Sequence, residues 1–335
     1  MREERAASAA IPADAARLFL AIVNPAAGGG RCGRLAPQTL DRARATGTQI
    51  DVAETVRPGD ATNIARAAYA RGIRGFLAVG GDGTGYEIIN GLFPQAAPST
   101  PPQSTGHASA KDRVALGFLP LGTGNSFLKD FTAQGVEHTI TALAQSSHRA
   151  VDVIRLTHAQ GELYFINLLS LGFPADVGET VNRRFKPLGE LGYILGVFAR
   201  LASLRHPSFP NRLNVNSSSA SAGQPPEWDR RPCLFLAFSN SKFTGGKMMI
   251  SPNADATDGK IECVRWGPIG RLGLLWNLPR LFTGTHILHP LASRTAATKV
   301  EFALDSPVTV MIDGEILRLE CHSLEVLPGA LDVII

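Results

Sequence analysis

An α/β domain followed by a β-rich domain is the fold the sequence predicts, on three observations. Apolar strands run three times into glycine-rich turns, at Asn24-Pro25-Ala26-Ala27-Gly28-Gly29-Gly30, Gly80-Gly81-Asp82-Gly83-Thr84 and Gly122-Thr123-Gly124-Asn125. The apolar periodicity alternates between strand and helix in the first part of the chain and turns to short strands beyond His148. A chain of 335 residues also exceeds one ordinary core, so the boundary is set near Ala150, giving domains 17–150 and 151–335.

The elements follow in order. Met1 to Ala16 is charged and Ala-rich, without the apolar core of a signal peptide, and Arg17 to Val23 reads as a buried strand. Leu35 to Ala45 reads as a helix, Thr48 to Ala53 as a strand, and Asp60 to Tyr69 as a helix that Asp60 or Thr62 can cap. With Phe76 to Val79 this makes βαβαβ, the pattern of a doubly wound sheet. Pro94 to Arg113 has almost nothing to bury and reads as a surface insertion. Val114 to Leu119 is the next strand, and the third glycine loop opens a helix after it.

In the second half, Val151 to Leu156, Leu163 to Leu169, Cys233 to Phe238, Lys260 to Arg265, Lys299 to Leu304, Val308 to Ile312, Ile316 to Glu320 and Ser323 to Leu327 read as strands. A helix pair fits Val181 to Leu204, and Ser217 to Arg231 reads as a loop. Arg271 to Phe282 is apolar with basic punctuation. It lines an acyl-chain pocket, rests on a bilayer, or simply packs on the β domain.

Composition bounds the function. With 44% hydrophobic and 19% charged residues the chain is a folded one, and a net charge of +4 suits an anionic partner such as a nucleotide or phospholipid. It lacks the dense Lys/Arg blocks of a nucleic-acid binder, so no nucleic-acid partner is expected. Cys32, Cys233, Cys263 and Cys321 stand far apart, as reduced thiols of a cytosolic protein do. No apolar run is long enough to span a membrane, and nothing in the sequence marks an oligomeric state.

Glycine loops at helix starts bind phosphate, because free N–H groups and the positive end of the helix dipole converge there and no Cβ keeps the ligand away. Successive loops at the carboxyl edge of one sheet suggest one nucleotide. Asp82 makes phosphoryl transfer with Mg²⁺ a better reading than simple anion binding, since a carboxylate beside phosphates needs a cation, water or hydroxyl between them. The alternative for Asp82 is helix capping near Thr84. Asp313-Gly314 reads first as a two-residue hairpin turn.

Taken together, Val23-Asn24-Pro25, Pro58-Gly59-Asp60-Ala61-Thr62, Gly80 to Thr84, Pro120 to Asn125, Asp258-Gly259 and Asp313-Gly314-Glu315 resemble the diacylglycerol kinase and sphingosine kinase superfamily of lipid kinases. The resemblance runs from about Arg17 to Leu327 and implies a phosphofructokinase/NAD-kinase-like α/β domain joined to a β-sandwich that binds lipid and completes the site. It implies nucleotide binding by Asn24, Pro25, Gly28, Thr62, Gly81, Asp82, Gly83, Thr84, Glu87, Gly122, Thr123 and Asn125. It further implies Mg²⁺ on Asp258 with backbone oxygens of Asp255 and Lys260, and Glu315 as general base.

Two positions bear on the substrate. Ser126 stands where many bacterial members carry Asp, so a metal-linked water network there must be rearranged. Leu171 to Val177, with Leu188-Gly189-Glu190 and Phe198 to Ala202, is similar to the sphingosine kinase substrate segment, in which Asp176 would meet a sphingoid amine; otherwise Asp176 caps the following helix. The expectation is a cytosolic, ATP- and Mg²⁺-dependent kinase that visits the inner membrane surface and phosphorylates the primary hydroxyl of a lipid. Diacylglycerol is the first choice and a sphingoid base or ceramide the second; an NAD-kinase-like enzyme and a non-catalytic lipid-binding module are the more distant rivals. Glu315 takes the proton and Asp82 organises metal and waters, although in sphingosine-kinase-like members an acid at the Asp82 position has been cast as the base.

Overall fold

In this computed structural model the described residues are 18–97, 113–181, 184, 189–215, 227–245 and 247–335. Most of the expected insertion between Pro94 and Arg113, most of the loop from Ser217 to Arg231, and Leu188 lie outside them. The first half consists of β1 (Phe19–Val23), α1 (Arg31–Arg44), β2 (Ile50–Glu54), α2 (Asp60–Ala70), β3 (Gly75–Gly80), α3 (Asp82–Leu92), β4 (Ala115–Pro120), a 3-10 turn (Phe127–Asp130) and α4 (Val136–Gln145).

Strands β2, β1, β3 and β4 pair in that order, all parallel. Their residues alternate between two cores, as a period of two demands when both faces are covered. Ile22, Phe76, Ala78 and Leu116 meet α2 and α3 on one face; Ala21, Leu77, Val79 and Leu119 meet α1 and α4 on the other. This is the doubly wound α/β domain expected. The third glycine loop opens only the short 3-10 turn, and the α-helix expected there starts later, at Val136.

The second half runs β5 (Arg149–His158), β6 (Gly161–Phe165), β7 (Leu168–Gly172), α5 (Phe173–Thr180), α6 (Gly189–Ala202), β8 (Asn211–Asn214), β9 (Phe235–Ser239), β10 (Phe243–Thr244) and β11 (Met248–Met249). Then come β12 (Ile261–Trp266), α7 (Arg271–Thr283), a 3-10 turn (Thr285–Leu288), β13 (Ala292–Ala297), β14 (Lys299–Phe302), β15 (Val308–Ile312), β16 (Glu315–Leu319) and β17 (Cys321–Val333). One antiparallel sheet has the order β13-β12-β9-β7-β15-β16, and it packs on β6, β5, β17, β14 and β8 through Ile154, Leu169, Phe238, Val310 and Leu324. This is the expected sandwich. Helices α5, α6 and α7 cover the outer face of the six-stranded sheet through Ala175, Leu201, Leu274 and Leu281.

The two halves are joined by paired backbone. The expected last strand ends at Leu327, before Pro328-Gly329, but β17 passes through a bulge there and its end pairs in parallel with β4, Asp332 beside Ala115. Gly329 takes φ +55°, which suits glycine, and its freed N–H donates to Asp152 Oδ1 at 2.7 Å. Helix α3 is tied to β6 as well, because Asn90 accepts from the Tyr164 N–H and donates to its carbonyl, each at 2.9 Å. The glycine loop at the head of α3 is thereby held against the sandwich.

Candidate active site

The three glycine loops meet at the carboxyl edge of β1, β3 and β4. The Gly122 N–H donates to the Gly80 carbonyl at 2.7 Å. A Cβ on Gly122 would come within 2.6 Å of Gly81 Cα, and one on Gly28 within 3.0 Å of the Leu121 carbonyl oxygen. The contact between loops therefore requires glycine. Asn125, in the left-handed region at φ 48°, donates its amide to the Gly122 and Pro120 carbonyls, and Asn24 Oδ1 accepts from the Ala26 N–H. Arg31 reaches from the start of α1 to the Gly122 carbonyl at 3.3 Å, which places a guanidinium between the first and third loops. The sequence reading missed that residue; a cation directly after a glycine loop was its signal. Thr123 is exposed on the third loop, and the hydroxyl of Thr84 is buried without a hydrogen-bond partner among the described residues.

Asp82 is half-buried, and both its oxygens lie 2.8 Å from the Ser126 N–H, with the Phe127 N–H at 3.5 Å. It thus caps the 3-10 turn and clamps the second loop to the third. Burial pushes its carboxyl up, opposed by these N–H groups and by the Ser126 side chain. A donor hydroxyl at position 126 suits a neighbouring carboxylate that a second acid would repel.

Thr62 and Glu87 serve the junction of α2 and α3. Glu87 accepts from the Gly59 and Ala61 N–H groups at 3.0 and 3.1 Å, and the Thr62 hydroxyl donates to the Glu87 carbonyl at 2.9 Å. Neither Asp60 nor Thr62 caps α2 as expected; Asp60 turns back to the N–H groups of Val56 and Arg57, and Glu87 caps the helix across space.

Opposite the loops stands the hairpin of β15 and β16. Asp313 at φ 48° and Gly314 at φ 91° make the expected two-residue turn. Asp313 does more than turn the chain, since its buried carboxylate accepts from the N–H groups of Ile166, Asn167 and Leu168 at 3.0 to 3.1 Å. Those bonds explain why the strand expected over Leu163 to Leu169 is broken into β6 and β7. Burial, opposed by the three N–H groups and assisted by Asp82, pushes Asp313 up to about 7. Glu315, next along the hairpin, is exposed, and its Oε1 lies 2.8 Å from where a Cβ on Gly83 would be. The hairpin carboxylate leans directly over the glycine loop.

A second acidic group lies beside the third loop. Asp152 is buried in β5 and accepts from the Gly259 and Gly329 N–H groups at 2.7 Å each. Burial pushes its carboxyl up, opposed by those bonds and reinforced by Asp258 and Asp255. An acid inside the apolar run Val151 to Ile154 was the overlooked signal. Asp130, at the end of the 3-10 turn, holds the Lys242 N–H at 3.0 Å, and burial raises it to about 6. Asp255 bonds Thr257, and Asp258 Oδ1 accepts from the Lys260 N–H at 2.9 Å. Among the described residues no three His, Cys, Asp or Glu are grouped to hold a metal. A cation at this loop would rest on the Asp258 carboxylate and main-chain carbonyls, an all-oxygen set that fits a hard ion.

Asp176 lies in the first turn of α5, with Gly172 at the cap position. It faces Arg200 of α6, whose guanidinium stands 3.3 Å from Oδ1 and also donates to the Asp176 carbonyl. Burial pushes the Asp176 carboxyl up and Arg200 opposes this.

A parallel sheet whose glycine loops are overhung by a carboxylate from a β-sandwich has the layout that phosphoryl transfer between two domains requires. Residues 18–156 match the diacylglycerol kinase catalytic domain, and residues 167–335 match the YegS C-terminal NAD kinase beta sandwich-like domain. The chain belongs to this diacylglycerol kinase family and is a lipid kinase. It is 27% identical over 320 residues to a diacylglycerol kinase of Mycobacterium tuberculosis, covering 94% of each chain. It is 27% identical over 303 residues to an Escherichia coli protein named Probable lipid kinase YegS, covering 86% of this chain and 87% of that one. The fold matches the crystal structure of a diacylglycerol kinase from Bacillus anthracis with a TM-score of 0.63 at 18% identity, over 95% and 96% of the two chains.

Proposed function

We propose that this lipid kinase transfers the γ-phosphate of ATP to the primary hydroxyl of diacylglycerol, giving phosphatidic acid, with Glu315 as general base. The observation that carries the proposal is the Glu315 carboxylate lying over Gly83, on a hairpin that buried Asp313 anchors by three hydrogen bonds. ATP phosphates would rest on the loops at Asn24 to Gly28, Gly81 to Thr84 and Gly122 to Asn125, with Arg31 beside them. As the lipid oxygen bonds to the γ-phosphorus, the bond to the bridging oxygen breaks, its electron pair leaves with ADP, and the hydroxyl proton passes to Glu315. Asp82, with both oxygens committed to the Ser126 N–H, positions the third loop rather than taking that proton. Thr62 and Glu87 support the nucleotide side by fixing α2 against α3.

Mg²⁺ would be held by Asp258 with the carbonyls of Asp255 and Lys260, and when bound it neutralises charge near the phosphates. Among the described residues no helix is long and apolar enough to cross a membrane. We place the enzyme in the cytoplasm at the inner membrane surface, where ATP and diacylglycerol meet, in phospholipid biosynthesis. Arg200 favours a neutral lipid over a sphingoid base, since it already occupies the carboxylate that an ammonium would need.

The test is phosphate transfer from labelled ATP with Mg²⁺ to a panel of lipids in mixed micelles. Diacylglycerol should be the preferred acceptor. Labelling of sphingosine or ceramide in its place, with loss of that activity in Asp176→Ala, would overturn the substrate; full activity in Glu315→Gln would overturn the base.

A further inference from the structure

Helix α7 buries Leu274, Asn277 and Leu281 against the sandwich. At about 100° per residue, Leu272, Trp276 and Pro279 fall on the opposite side. Leu272 is 83% exposed and Trp276 82%, while Leu288 in the following 3-10 turn is 78% exposed. An ordinary surface helix turns polar residues outward; this one presents its largest apolar side chains to solvent.

The charge around the helix is one-sided. From Cys263 to Val300 the sequence has no acid and five Arg or Lys. Arg265, Arg294 and Lys299 pair with Asp229, Glu262 and Glu301. Arg271 and Arg280, near the two ends of α7, are exposed and make no side-chain ion pair among the described residues.

We propose that the outward face of α7, with Arg271, Arg280 and the Leu288 turn, docks on a bilayer containing anionic phospholipid. A tryptophan beside aliphatic side chains suits the headgroup boundary, and arginines at the edges keep their charges in the headgroup layer while their stems lie along the acyl chains. A second copy of the chain would set arginine against arginine, so charge favours lipid over self-association. The surface belongs to the helical layer in which α5 packs on β15 and β16, the hairpin of Glu315, and its use for substrate access rests on the lipid-kinase reading.

Flotation with vesicles of phosphatidylcholine, with and without phosphatidylglycerol, tests this. The protein should float with phosphatidylglycerol vesicles and be released by salt. Leu272→Ser/Trp276→Ser and Arg271→Glu/Arg280→Glu should each weaken binding at least about tenfold, by lost apolar burial and by repulsion. Both variants should keep the unmodified rate on a monomeric short-chain diacylglycerol. Brominated lipid should quench tryptophan emission in the unmodified protein and much less in Leu272→Ser/Trp276→Ser, since Trp266 is fully buried and the half-buried Trp228 lies outside α7 under Arg212. No flotation, unchanged flotation of both variants, salt-insensitive binding to neutral vesicles, or variants that differ only in self-association would each overturn the docking surface. Flotation needs no turnover, so a wrong substrate and a wrong surface give different failures.

Discussion

The glycine-loop wall of the cleft and the hairpin wall are both built around carboxylates, but they use them differently. On the loop wall Asp82 and Glu87 have their oxygens committed to backbone N–H groups of neighbouring segments, so they act as fasteners. On the hairpin wall the fastening falls to Asp313, and Glu315, two residues on, is left exposed over Gly83. The difference separates acids held among backbone donors of other segments from one that lies exposed beside a glycine loop, and the second is the position the proposed base requires.

The sharpest way to break that comparison is to neutralise one acid on each wall. Glu315→Gln should lower kcat by a factor on the order of 10² to 10⁴ with little change in thermal midpoint, the mark of a base rather than a brace. Asp82→Asn should show the reverse emphasis. Its amide would face the Ser126 N–H, at a cost of about 1–3 kcal/mol in denaturant unfolding, and the loosened third loop should raise the KM for ATP more than it lowers kcat. A proton-transfer defect in Asp82→Asn with no loss of stability would move the base to the loop wall.

Gly83→Ala tests the contact itself. The new Cβ would meet Glu315 Oε1 at 2.8 Å and push the carboxylate aside, so kcat should fall about tenfold while the fold is kept. Wild-type rates would show that Glu315 need not lie there.

Asp313 offers a test in pH. Burial pushes its carboxyl up to about 7 in the folded protein, against about 3.9 in the unfolded chain. The folded state binds the proton more tightly, so this group's contribution is full below about pH 4 and is lost as pH rises through about 7. Thermal midpoints of the wild type should therefore fall over this range relative to those of Asp313→Asn. Parallel curves would remove the assigned shift.

The smallest effect is expected at Asp176. Arg200→Ala should change diacylglycerol turnover by no more than a few fold, because the half-buried pair is partly screened by solvent, yet free the carboxylate for an amine-bearing lipid. Assay of both lipids decides it.

The two-domain architecture, the parallel βαβ order and the three glycine loops were legible because they rest on local signals: apolar period, turn residues and helix starts. The Asp313-Gly314 turn was legible for the same reason. What escaped depended on partners distant in sequence: Glu87 capping α2, Asp152 filling the bulge at Gly329, Asn90 bridging to Tyr164 and Arg200 pairing with Asp176. Even strand ends moved for this reason. Pro328-Gly329 reads as a stop, yet β17 continues past it because the sheet has an open edge at β4.

By itself, then, the sequence determined the main strands of both domains but not β8, β10, β11 or β13, the three glycine loops, and the turn that carries Asp313 and, two residues on, Glu315. Only the tertiary structure decided which of these acids is locked and which is presented. A carboxylate's role depends on the donors that close around it, and those come from distant segments, 147 residues away for the Ile166 N–H on Asp313.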